Sequence, residues 1–269
     1  MAPLDDDACA KLFAMGTSGA GGNIRQGEFF EHVIAEIYTS ILSPGDVTLD
    51  GGAHVGRHTF PMAEKVGDQG LVLAVEPLPD LARRLAKKAK QRKLGQIQIV
   101  DKALYDRVAR IPFHWVKAHS AYSGIERRRY DFEDKIRVVE VEATTIDAIL
   151  LPGGHSRDAP FRFCKLDLEG GEIRALEGGR AALVASRPLI IFENDQELSA
   201  RYYRYTKEEW FGFFKSVGYD VFTLWGRPYG PEDWGRRDIP WYFIAAAGGS
   251  EDEAFVTSTL PRLLRHFLS

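Results

Sequence analysis

Four acidic side chains stand where short apolar runs give way to turns: Asp50, Glu76, Asp101 and Asp167. Acids in such places can hold ribose hydroxyls, face a cation, orient a nucleophile or take its proton. The first of them opens "DGGAHVG", residues 50–56, where Gly51, Gly52 and Gly56 give up conformational entropy and add nothing to a core. Glycines there fit a backbone that something must approach closely.

Two nucleotide readings compete for that turn. A dinucleotide pyrophosphate calls for G-x-G-x-x-G, a spacing these glycines lack. Asp-x-Gly-x-x-x-Gly, with an acid ending the next strand, suits S-adenosylmethionine, whose methionine end is a zwitterion joined to a sulfonium. On that reading Asp50, Gly52 and Gly56 meet the methionine end, and Glu76 accepts both ribose hydroxyls. Glu76 follows Gly56 by about 20 residues, a spacing that suits a ribose-binding acid in either reading. Asp101 and the backbone around Lys102 and Ala103 are placed to meet an adenine amino group.

A methyl transfer is an in-line displacement that rewards alignment, and a hydroxyl acceptor must also lose its proton. Asp167 is the candidate to orient or deprotonate that acceptor. Glu193 and Asn194 end a later apolar run, and with Asp167 they form a set of hard oxygen ligands suited to Mg²⁺. Glu172 reads as a partner of a helix N-terminus, and Glu169 reads equally as that or as catalytic. Among the histidines, His119 is the candidate acceptor-side base, whereas His58 and His114 read as structural or surface residues. Ser120 and Ser123, near His119, are candidates to contact cofactor or acceptor. Tyr202, Tyr203 and Tyr205 fit an acceptor pocket or plain surface packing. Cys164 sits inside an apolar run and reads as core.

These residues need a scaffold that brings strand ends together. Residues 1–27 read as a short helix on a flexible lead. From Glu28 to Leu42 the apolar residues recur at helical spacing, and "SPGD" stops them. "VTLD", "GLVLAVEP" and "QIQIVDKA" alternate with helical segments, the rhythm of parallel strands joined by crossover helices. "VARIPFHWV" and "IRVVEVEA" then form a strand pair, inserted at 106–143, around a polar stretch at 117–135 that is expected to act as a lid over the site. "FRFCKLDLEGGE" and "PLIIFEND" resume the parallel series. "YDVFTLWG" and "IPWYFIAAA" close the sheet as an antiparallel pair, because about a dozen residues between them are too few for a helical crossover. The main domain is read as 28–250, with a C-terminal helix at 251–269.

Composition narrows the partners. The chain has 269 residues, and 35 basic against 38 acidic side chains give a net charge of −3, which argues against a nucleic-acid surface built on positive charge. Arg127, Arg128 and Arg129 run straight into Asp131, Glu133 and Asp134, which reads as a solvated mixed-charge face. Two distant cysteines, Cys9 and Cys164, give no disulfide framework and fit a reducing compartment. No apolar run approaches the ~20 residues of a membrane span. With no signal-like start, a cytoplasmic location is expected, with no membrane partner.

The sequence resembles the FkbM-type methyltransferases, a branch of the class I S-adenosylmethionine-dependent enzymes. The matching pieces are "GEFFE" (27–31), "PGDVTLDGGAHVGRHT" (44–59), "AVEPLP" (74–79), "DKALYD" (101–106), "TTIDAIL" (144–150), "CKLDLEGGEIRALEGG" (164–179) and "GYDVF" (218–222). They run in order from about residue 27 to 247, and "KLDLEGGE" is the most specific. The resemblance implies a Rossmann-like three-layer α/β sandwich, with a seven-stranded, mostly parallel sheet and one antiparallel strand. It implies cofactor binding at His54, where the family commonly has Asn, and O-methylation of a hydroxyl on a small natural product or sugar. Two alternatives stay open: a cofactor-binding partner subunit without catalysis, and a nicotinamide-dependent oxidoreductase.

Overall fold

The computed structural model describes residues 3–17, 27–129, 135–151 and 160–268. Ten strands run in chain order: β1 (Val47–Gly51), β2 (Leu71–Val75), β3 (Ile97–Val100), β4 (Ala103–Leu104), β5 (Ala109–Val116), β6 (Ile136–Thr144), β7 (Phe161–Leu166), β8 (Leu189–Glu193), β9 (Tyr219–Thr223) and β10 (Tyr242–Ala247). Seven of them form the central sheet, in the order β3-β2-β1-β7-β8-β10-β9. β1, β2, β3, β7 and β8 are parallel neighbours, and β10 runs antiparallel to both β8 and β9. The short link between β9 and β10 thus turns the chain back once, as expected. Every residue of β1 and β2 is buried, the pattern of parallel strands covered on both faces.

One face is covered by α1 (Asp6–Thr17), α2 (Glu28–Ile41), α3 (Thr59–Val66) and α4 (Pro79–Gln91). α2 forms because its apolar residues fall on one stripe, and Phe30, Val33, Ile34 and Ile37 are fully buried there. α4 buries Leu81 and Leu85 and turns its basic residues outward. The lead expected to be flexible is docked over residues 3–17: Leu4 and Leu12 are buried, and Phe13 stacks on Phe30 with ring centroids 6.4 Å apart. Residues 18–26 of that lead lie outside the described residues.

The other face is covered by α5 (Ile146–Leu150), α6 (Glu172–Glu177), α7 (Arg180–Ser186) and α9 (Lys207–Val217), while α8 (Gln196–Tyr203) follows β8. α9 begins with a reciprocal cap between Thr206 and Glu209 and stops at Gly218, in left-handed backbone at φ 76°. Its Trp210 packs against Phe192 of β8 and Phe243 of β10. The C-terminal segment is not one uniform helix. α10 (Glu251–Ala254) and α11 (Leu260–Arg265) are joined by a π-helical turn over Phe255–Thr259, next to Pro261, which has no N–H to continue the ladder.

The inserted strand pair is present, with β5 and β6 antiparallel, but it belongs to a separate three-stranded sheet. Its third member is β4, which pairs in parallel with β6. The run expected to continue β3 through Ala103 therefore leaves the main sheet after Val100 and changes sheets across Asp101 and Lys102. Among the described residues, no helix is long and apolar enough to cross a membrane.

Candidate active site

The carboxyl ends of β1, β2 and β7 converge on a cavity of about 240 Å³. The turn after β1 sets its floor. Gly52 has φ 76°, and a Cβ there would lie 2.0 Å from the Asp167 carbonyl oxygen, so the close approach of β7 demands glycine at this point. Gly52 lines the cavity. Gly56 does not: its absent Cβ makes room for Phe60 and Leu85, and its role is packing. Between them His54 holds φ 47°, a left-handed conformation in which Asn, Asp and His are the enriched residues besides glycine. The Asn common at this position in the resembling sequences fits that backbone.

His54 links two expected residues. Its backbone N–H donates to Glu76 Oε2 at 3.0 Å, and its Nε2 lies 2.9 Å from Ser120 Oγ. Leu78 N–H donates to Glu76 Oε1 at 2.9 Å. Glu76 is 4% exposed, and burial pushes its carboxyl up to about 7 against the pull of those two N–H groups. Ala103 and Lys102 form the wall beyond Glu76, whereas Asp101 is exposed and off the wall because the chain changes sheets there.

Asp50 is buried below the turn. Its Oδ2 accepts from Thr59 Oγ1 at 2.5 Å, and its Oδ1 has no hydrogen-bond partner. Opposite it in register stands Lys165, 3% exposed, with Nζ 3.0 Å from Asp167 Oδ2. Burial disfavours the ammonium, but Asp167, Asp50 and Glu31 around it outweigh that and hold it charged. Burial likewise opposes ionisation of Asp167. Lys165, with hydrogen bonds to Glu193 and Tyr242, overcomes it and holds the carboxyl down to about 2. Asp167 is thus always ionised near neutrality, and correspondingly a weak base.

Glu31 of α2 and Tyr242 of β10 complete this end. Tyr242 Oη lies 2.8 Å from Glu31 Oε1 and 3.2 Å from Asp167 Oδ2, while His58 Nε2 lies 2.5 Å from Glu31 Oε2. Sequence reasoning missed Lys165, Glu31 and Tyr242. The first two fall inside the quoted motifs "KLDLEGGE" and "GEFFE", so the signal was their place in a motif, whereas Tyr242 gave none. His58 is structural in the sense expected, but it also lines the cavity.

Glu193, Glu169 and Asp167 offer oxygens all within 4.8 Å of one another. Burial, with the charges of Asp167 and Glu169 beside it, raises Glu193 well above the carboxylate range. Burial also raises Glu169 to about 8, although Arg128 pairs with it. The residues do not fit the expected Mg²⁺. Asp167 Oδ2 is taken by Lys165 and Tyr242, Glu169 Oε2 is taken by Arg128, and two cations already stand where a third would be repelled. Glu172 caps the turn, accepting from Leu168 N–H at 2.7 Å and Gly170 N–H at 3.1 Å.

Several expectations are corrected here. His119 is exposed and does not line the cavity, because its loop turns Ser120 and Ser123 inward instead. Glu193 stands off the cavity wall, behind Asp167. Arg128 is not on a solvated face but folds onto Glu169 and approaches Asp195. The acids expected beside it, Asp131, Glu133 and Asp134, lie outside the described residues, as do 130–134 of the expected lid. The tyrosines brace backbone and amide groups: Tyr202 Oη accepts from Arg129 N–H at 2.9 Å, and Tyr205 Oη from Asn194 Nδ2 at 2.9 Å. His114 Nδ1 lies 2.9 Å from the Ile125 carbonyl, and Cys164 is fully buried in the core.

Comparison with known proteins adds to this geometry. A family profile described as the methyltransferase FkbM domain matches residues 50–221. No curated protein matches the sequence. Among solved structures, the methyltransferase FkbM from Methylobacillus flagellatus KT aligns over 89% of this chain at 16% identity, with a TM-score of 0.46. The present chain spans 58% of that protein's length. The O-methyltransferase TomG from Streptomyces achromogenes, involved in tomaymycin synthesis and solved with S-adenosylmethionine, aligns over 92% of both chains at 12% identity, with a TM-score of 0.47.

Proposed function

The chain belongs to the FkbM methyltransferase family, and on that premise we propose that it methylates a hydroxyl group of a small molecule with S-adenosylmethionine. The observation that carries the cofactor assignment is Glu76. Its buried carboxylate is held by the N–H groups of His54 and Leu78 on a cavity wall, with lone pairs left over for a ribose diol. Ala103 and Leu104 would flank the adenine, and Asp50, whose Oδ1 lacks a partner, would face the ammonium of the methionine end. The bound cofactor supplies an electrophilic methyl group on a sulfonium.

Glu31, Asp50, Glu76 and Asp167 line the cavity together with Arg57, Lys102 and Lys165, a wall of both signs that suits the zwitterionic methionine end of this ligand. Asp167 serves the reaction as an orienting acceptor for the incoming hydroxyl, which suits a displacement governed by alignment. Calorimetry with S-adenosylhomocysteine, followed by transfer of labelled methyl groups to a library of hydroxyl compounds, tests both halves. Absence of binding to the folded protein overturns the cofactor assignment. Binding without methylation of any hydroxyl compound points instead to a partner subunit.

A further inference from the structure

Lys165 poses a physical problem: a buried ammonium on the wall of a cavity that, on the reading above, receives a sulfonium. Like charges repel at close range, so this ammonium serves something other than the cofactor's sulfur. Its contact is with Asp167, two positions on and just past the end of β7. Among the described residues, Lys165 is the one cation in ion-pair contact with Asp167. The other groups around it are mostly acids and phenols, Glu193 from β8, Tyr242 from β10, Glu169 and Glu172 from the following turn and α6, and Glu31 from α2, together with His54 and with Arg128, which is held on Glu169.

We propose, resting on the methyltransferase reading, that Lys165 is a positioning residue for methyl transfer. It locks the Asp167 carboxylate at the methyl end of the cavity as a charged hydrogen-bond acceptor for the incoming hydroxyl. Asp167 Oδ2 is held by Lys165 Nζ at 3.0 Å and by Tyr242 at 3.2 Å, so its orientation is fixed from two strands. As the hydroxyl oxygen takes the methyl, its proton is released to water while Asp167 keeps the oxygen aligned, and the sulfur keeps the electron pair of the bond that breaks. Without the ammonium, burial and the surrounding acids favour a protonated Asp167, which donates a hydrogen bond where the reaction needs one accepted.

The test needs no acceptor. In the protein free of ligand, the Asp167 side-chain carboxyl is followed by carbon NMR between about pH 4 and pH 8, its signal assigned by its loss in Asp167→Asn. It should not titrate in the wild type or in Lys165→Arg, and should titrate within that window in Lys165→Met. S-adenosylhomocysteine should bind Lys165→Met within about threefold of wild type, a change under 1 kcal/mol. With a hydroxyl compound that the wild type methylates, Lys165→Met should lose about 10²-fold in kcat near pH 7, largely restored in Lys165→Arg. An Asp167 that stays ionised in Lys165→Met overturns the proposal. So does a tenfold or greater loss of S-adenosylhomocysteine affinity, which would make Lys165 a cofactor ligand. Should Lys165→Met fail to fold, Lys165→Gln carries the same readouts with a hydrogen-bond donor retained. Binding by the wild type tests the cofactor assignment separately.

Discussion

The Tyr242 hydroxyl lies 2.8 Å from Glu31 Oε1, joining the one antiparallel strand of the sheet to the first turn of α2. The same oxygen reaches Asp167 at 3.2 Å, so one phenol braces carboxylates from two elements. Tyr242→Phe should leave S-adenosylhomocysteine binding intact and lower kcat by about tenfold. Loss of the buried hydrogen bond should also lower stability by about 1–2 kcal/mol in chemical denaturation. An unchanged kcat would remove this contact from the reaction.

Glu76 should make ligand binding depend on pH. Its carboxyl, raised to about 7 in the free protein, is half protonated near neutrality, and a ribose diol donates to the ionised form. S-adenosylhomocysteine affinity should therefore rise from about pH 6 to pH 8, with proton release seen as a dependence of the calorimetric heat on buffer ionisation enthalpy. Glu76→Ala should weaken binding by about 1–3 kcal/mol and abolish that dependence.

The same buried acids set the stability of the unliganded protein. Glu76 and Glu172 are raised to about 7 and Glu169 to about 8, so the folded state binds more protons than the unfolded chain between their ordinary values and these. Such groups stabilise fully below the unfolded value and lose that contribution as pH rises through the folded one. Tm should therefore fall between about pH 5 and pH 8. Asp167, held down to about 2, works in the opposite sense, and its contribution is lost only in acid below about pH 4. A Tm that climbs steadily from pH 5 to pH 8 would contradict the burial of these acids.

Gly52 and Gly45 separate two reasons for glycine. Both have positive φ, but a Cβ at Gly52 meets the Asp167 carbonyl, while nothing lies within 4 Å of one at Gly45. Gly45→Ala should cost about 1–2 kcal/mol from its left-handed backbone alone. Gly52→Ala should cost clearly more and weaken S-adenosylhomocysteine binding. Equal losses, measured by thermal and denaturant unfolding, would show that β7 yields to the extra methyl group.

Chelation is a direct check on the Asp167, Glu169 and Glu193 cluster. With Lys165 and Arg128 supplying its positive charge, EDTA should leave turnover unchanged and added Mg²⁺ should give no gain. Activity lost to EDTA and restored by Mg²⁺ would require both ion pairs to open.

The sequence by itself determined the sheet and one side of the site. The alternation of buried runs with amphipathic helices, and the short link before β10, point to a mostly parallel sheet with one strand reversed, because side-chain periodicity and connection length are local quantities. The same locality singled out Asp50, Gly52 and Glu76, which lie at or just beyond the ends of β1 and β2, while His54 came from the family resemblance. Which acids face the cavity was decided elsewhere. Asp101 left it when the chain changed sheets, and His119 left it when the loop turned Ser120 inward, both results of how the small sheet docks. Lys165 looks like a stray basic residue in a largely apolar strand until Asp50, Glu31 and Asp167 surround it. Tyr242 meets Glu31 across 211 positions of chain. Ionisation follows the same rule: Asp167 and Glu193 are both carboxyls at the ends of neighbouring strands, yet the ammonium of Lys165 holds the one below the ordinary carboxylate range while burial and the neighbouring acids raise the other above it. A carboxyl's charge state depends on the sum of burial and neighbouring charges in space, and that sum exists only once the strands and α2 have packed together.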